Sequence, residues 1–137
     1  MGTRLATVAP DLSARLGSLT EDEVRRRVSV AVRAALADTG LTDPTVVEAL
    51  DLGGSEPTAD VRSAVEALAA RLDQEAWRIQ EREGDSAHYL AAFKQARAAS
   101  AVFFSLNPDV RGSAADALYE AQAALGSVES LRTHLSL

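Results

Sequence analysis

The chain has no cysteine, one lysine and only six aromatic side chains. Without cysteine there can be no disulfide, thiolate nucleophile, zinc knuckle or iron–sulfur cluster. The aromatics all fall between Trp77 and Tyr119, so the N-terminal half brings none to a core. No apolar run approaches the roughly 20 residues that a membrane helix needs. Met1 to Pro10 holds no stretch suited to a secretion signal. Met1-Gly2 opens like a myristoylation site, but Ala6 stands where that signal has Ser or Thr. These absences lead to the expectation of a cytoplasmic protein with no membrane partner. Lys94, Ile79 and Asn107 are each alone of their type while alanine abounds. That skew is the mark of a GC-rich bacterial coding sequence and carries no functional meaning.

Charge is also unevenly placed. The net value is −6, but Leu41 to Asp85 holds eleven acidic residues against four arginines. The flanking stretches are close to neutral. A binder of nucleic acid needs a sheath of cations for the phosphates, and none is written here, so nucleic acid is an unlikely partner.

Strand signals are missing, whereas helix signals recur. Thr20 and Glu23 form a capping box, with Leu19 and Val24 as its hydrophobic staple. Val24, Val28, Val32, Ala35 and Leu36 then make one apolar stripe ending near Gly40. A short helical turn is expected over Pro10 to Leu16. Asp43-Pro44 starts another short helix, reaching about Asp51, and Gly53 to Pro57 reads as a linker. Thr58 caps a long helix to about Glu83, striped by Val61, Val65, Leu68, Leu72, Ala76 and Ile79. Asp85 or Ser86 opens the next, whose stretch from Ala87 to Leu106 is apolar all round and is therefore expected at the centre. From Asn107-Pro108 an unbroken stripe runs through Val110, Ala114, Ala117, Ala121, Ala124, Val128, Leu131 and Leu135. The spacing predicts one continuous helix there.

The expected fold is all-α: a compact antiparallel bundle of about four main helices with one or two short N-terminal ones. Residues 1–137 form a single domain. Within it, 58–135 is expected to be a three-helix core, and 1–52 a helical cover or arm.

Chemistry is weakly signalled. The two histidines, His88 and His134, lie far apart, and no nucleophile motif or metal-ligand spacing occurs, so neither catalytic residues, metal nor cofactor are assigned. Near a helix start, His88 can share a face with Asp85 and be approached by Glu81. A hairpin through Gly84 sets Glu75 opposite Arg97, which suggests a buried ion pair. The functional alternative is a ligand pocket using Arg97, Glu75 and His88, with Arg97 taking a carboxylate or phosphate. A helix-turn-helix outline over Thr20 to Asp51 lacks any cation on its second helix, where Glu48 and Asp51 would repel phosphate.

Trp77 is the oddest placement. It points away from its helix's apolar stripe, in a row with Ser63, Glu66, Ala70, Asp73 and Glu81. An indole on an acidic outer face is either covered by the N-terminal helices or an interface anchor. The last helix offers a second strip, through Gly112, Ala115, Tyr119, Ala123 and Gly126, where small residues would admit a second copy as a homodimer. The leading expectation is a non-catalytic, acidic protein-interaction module of the adaptor, immunity or regulatory kind, with a basic protein partner. A small-molecule or enzymatic bundle is the alternative, and a DNA-binding regulator ranks third.

Overall fold

The computed structural model describes residues 3–51 and 57–136. Met1-Gly2 and most of the expected linker, from Gly53 to Glu56, lie outside the described residues. Among those described there are eight helices: α1 (Arg4–Val8), α2 (Pro10–Ser18), α3 (Glu21–Thr39), α4 (Pro44–Leu50), α5 (Ala59–Glu83), α6 (Ala87–Ser105), α7 (Val110–Leu125) and α8 (Val128–Leu135). They pack as an all-α helical bundle. None is long and apolar enough to cross a membrane.

The starts follow from short polar side chains. The Thr20 hydroxyl accepts from the Glu23 backbone N–H, and Glu23 reaches back to the Thr20 N–H, completing the capping box. Asp43, Thr58, Ser86 and Asp109 each cap the helix that follows them. Thr3 does the same for α1. Such caps satisfy N–H groups that a helix leaves unpaired. At the other end of α3, Gly40 takes a left-handed φ of 69°, and the Leu41 N–H donates to the Leu36 carbonyl. This closure favours glycine because a side chain resists that backbone region.

Several helix C-termini are closed by side chains from elsewhere in the chain. Arg27 donates to the Leu135 carbonyl, Arg33 to Leu50, Arg111 to Leu19, and the Gln95 amide to Thr39. Cations there satisfy the last carbonyls and oppose the negative end of the helix dipole. Much of the arginine is thus structural. Of the Arg25-Arg26-Arg27 run, Arg25 pairs with Glu21 and Asp22 along α3, and Arg27 joins α3 to α8.

Two expectations need correction. The region 1–52 is not merely a cover, because α3 packs along both α6 and α7 and completes the core with them. Val24, Ala31, Val32 and Ala35 of α3 are buried as deeply as Ala99 and Val102 of α6 or Leu118 of α7. By contrast α5 packs mainly on α6 and α4 and forms an edge of the bundle. Small aliphatic side chains suffice for this core: α6 and α7 present mostly alanine, so the helices close up without aromatic filling.

The second correction is to the last helix. Gly126 adopts φ of 90°, ends α7 and leaves Ser127 to cap α8. The stripe nevertheless stays inside across the break, since Ala124, Leu131 and Leu135 are all fully buried. Apolar spacing recorded burial correctly and hid the turn.

Candidate functional site

The most heavily bonded polar cluster joins α1, α5, α6 and α7. Glu120, on α7, is 2% exposed and is the one buried charged residue among those described. Its carboxylate accepts from Arg4 at 3.2 Å and from Arg97 at 2.9 Å. Arg97 also bonds Asp73 of α5, and Arg4 lies 3.7 Å from Asp116. Both guanidiniums rest against rings, Arg4 4.5 Å from the Tyr119 centroid and Arg97 5.6 Å from that of Phe93. Burial alone would lower the Arg97 pKa. The hydrogen bond to Asp73 and the charges of Glu120 and Asp73 outweigh it, and the net shift is upward. Arg97 is therefore a fixed cation with its fork engaged by two carboxylates, which is a clasp rather than an open ligand site.

This corrects the expected Glu75–Arg97 pair. Glu75 is exposed and sits 3.8 Å from Arg78 on its own helix. The hairpin through Gly84 has the anticipated register, but the face is different. Asp73, two positions away, turns toward α6 and takes the place assigned to Glu75. Glu120 escaped notice because it lies in the C-terminal half of the chain, away from the hairpin. Its signal was a carboxylate, one turn after Asp116, beside the alanine stripe of α7.

His88 is exposed, with Nδ1 2.9 Å from Glu83. Asp85 accepts instead from the Gln80 amide at 2.9 Å, so neither Asp85 nor Glu81 joins the histidine. Arg97 and His88 are not brought into one cluster with Glu75. Among the described residues no group of three or more potential metal ligands converges.

The row on the outside of α5 is laid out as its spacing predicts. Ser63, Glu66, Ala70, Asp73, Trp77 and Glu81 are all exposed, and Trp77 is 61% exposed. Although α4 packs on α5, the N-terminal helices leave this row uncovered. On α6, the neighbouring helix, Tyr89 and Phe93 stack with centroids 6.0 Å apart, and Leu90 is 46% exposed. The outer half of the α5–α6 hairpin is thus the part of the molecule richest in uncovered large apolar groups.

The small-residue strip of α7 is a different matter. Tyr119 lies under Arg4, Ala115 packs against the core, and α1 runs along the helix. The first helix thus covers the middle of the strip at Tyr119, while Gly112 and Gly126 at its ends are exposed. The chain matches no protein-family model, no curated protein and no solved structure, so function has to be read from its own residues.

Proposed function

We propose that this chain is a non-catalytic protein-interaction module that docks a basic protein partner on the outer face of α5. The observation that carries the reading is Trp77, 61% exposed on a helix whose inner face packs against α6. Leaving an indole in water forgoes a large favourable burial, and tryptophan is among the residues most enriched at interface hot spots. The chemistry of the partner follows from charge. The stretch from Leu41 to Asp85 carries eleven acidic residues against four arginines. Glu66 and Glu81 flank Trp77 along its row, while Asp73 in the same row already holds Arg97.

The polar interior supports a non-catalytic role. Arg97 and Glu120, the strongest candidates for chemistry, are bonded to each other and to Asp73 and Arg4. A catalytic group must instead be free to meet a substrate atom within hydrogen-bond reach. An adaptor, immunity or regulatory protein acting in the cytoplasm fits this combination. Pull-down from cell extract at low and high salt tests it, with Trp77→Ala as the comparison. The reading requires a basic protein retained at low salt and lost with the substitution. Retention indifferent to both would refute it.

A further inference from the structure

A second place on α5 has a different character. A groove of about 310 Å³ opens between the first turns of α5 and the end of α6. Arg62, Ser63 and Glu66 form one wall, and Phe103, Phe104 and Asn107 the other. Ligand sites begin at about this size and combine apolar walls with a few placed polar groups. At about 1.5 Å of rise per residue, Arg62 lies roughly 22 Å along the helix from Trp77, so the groove shares Ser63 and Glu66 with the far end of the outer row but not the indole.

The polar groups of this groove are incompletely used. Among the described residues, Arg62 Nε is buried without a hydrogen-bond partner, as is Arg97 Nε. Among the described residues neither Arg62 nor Glu66 enters an ion pair, although they are one turn apart. A cation so near a helix N-terminus faces the positive end of the dipole, a placement that an anion beside it would relieve. Asn107 Oδ1 is taken by the Asp109 N–H, which leaves the amide nitrogen free to donate. Phe103 and Phe104 meet edge to face at 5.6 Å and supply the apolar side.

We propose that this groove binds a small zwitterion bearing an apolar side group, the chemistry of a free hydrophobic α-amino acid. Arg62 takes the carboxylate, Glu66 takes the ammonium, and the phenylalanine pair takes the side group. A simple monoanion would place like charge against Glu66. A neutral apolar molecule would leave the charges of Arg62 and Glu66 without partners.

Nuclear magnetic resonance titration of the isotopically labelled full chain tests the assignment. The probes are L-phenylalanine, its N-acetyl form lacking the ammonium, and its amide lacking the carboxylate. The expected result is saturating shifts at Arg62, Ser63 and Phe103 with phenylalanine, at a Kd of about 1 mM or tighter. Either modified form should bind at least about tenfold more weakly, the equivalent of 1.4 kcal/mol. Arg62→Gln should abolish saturation. Arg62→Lys, which keeps charge and loses the fork, should weaken it. Glu66→Gln should erase the preference for phenylalanine over the N-acetyl form. Trp77→Ala should bind the amino acid normally, so loss of the docking function and loss of this site are read separately. Absence of saturating shifts at about 10 mM, or equal binding of all three probes, overturns the proposal.

Discussion

Glu120 shows what one side chain contributes to this fold. A carboxylate removed from water is strongly unfavourable unless hydrogen bonds and opposite charge replace the lost solvation. Arg4 and Arg97 supply both from opposite sides. Glu120→Ala should therefore lower stability by about 3–5 kcal/mol in urea melts, because it leaves a half-buried Arg97 short of a partner. In a double-mutant cycle Glu120 and Arg97 should couple by more than about 0.5 kcal/mol, while Glu75 and Arg97 add independently. A coupling at Glu75 would mean that the hairpin faces are wrongly assigned. A second ion pair joins α2 to α8: Arg132 Nη2 lies 2.7 Å from Asp11, and its hydrogen bond holds the Asp11 carboxyl below its usual range. A folded pKa below the unfolded one means stabilisation that is present above the ordinary value of 3.8. It is lost as pH falls through the lowered value. Asp11→Asn should thus be less stable than the parent at neutral pH, with the difference closing in denaturant melts below about pH 4. Asp11 is exposed and Arg132 only partly buried, so the effect should be small. At this scale the sequence was half legible. Periodicity set the hairpin register and the exposure of Trp77. It could not show that Asp73 rather than Glu75 meets Arg97, because a helical wheel does not record how far a long guanidinium side chain reaches past the helix edge.

At the scale of elements, caps were legible because their chemistry is local. Thr20 with Glu23, Asp43 with Pro44, and Thr58 announce their helices without reference to anything distant. Gly126 was missed for the complementary reason. Glycine in an alanine-rich helix reads as tolerable, and only the capping hydroxyl of Ser127 beside it marks the restart. Central placement of α6 was also legible, but only for part of its length. Ala96, Ala98, Ala99, Ala101 and Val102 are buried, whereas Tyr89 and Phe93 are half-buried and Leu90 is exposed. An apolar stretch marks both a core segment and a segment that awaits a partner, and composition does not separate them. Truncation does. Leu118→Ala in α7, where the side chain is fully buried, should cost about 2–5 kcal/mol. Phe93→Ala should cost clearly less than the 3–5 kcal/mol typical of a buried ring. Chemical melts of both variants check the order. If Phe93 proves the more costly, the inner and outer halves of α6 have been exchanged.

For the whole molecule, the distribution of packing sets what is left for function. The core forms where α3, α6 and α7 meet, α1 lies along α7, and α5 packs as an edge helix. The sequence suggested a centre in its C-terminal half because the aromatics cluster there. Aromatic content misled, since alanine and valine build the centre and the rings lie largely at its margin. The consequence is an edge helix with one face committed to the bundle and an outer face carrying Trp77 and excess acid. On the proposed docking of a cationic partner, two kinds of interaction govern the encounter. Like-signed charge on this chain speeds approach and makes the association rate fall with salt. The indole, once desolvated, lengthens the life of the complex. Trp77→Ala should therefore leave the association rate near its parental value and raise the dissociation rate at least about tenfold, a loss of some 1.4 kcal/mol. Glu81→Gln should do the reverse, lowering the association rate and its salt slope while leaving dissociation nearly unchanged. Surface plasmon resonance against the captured partner, at two or more salt concentrations, separates these effects. A second copy of the chain is the competing occupant of the same face. Light scattering at tens of micromolar, set by the weak end of homodimer affinities, decides between them. A dimer that Trp77→Ala dissolves would assign the indole to self-association and remove the basic partner from the account.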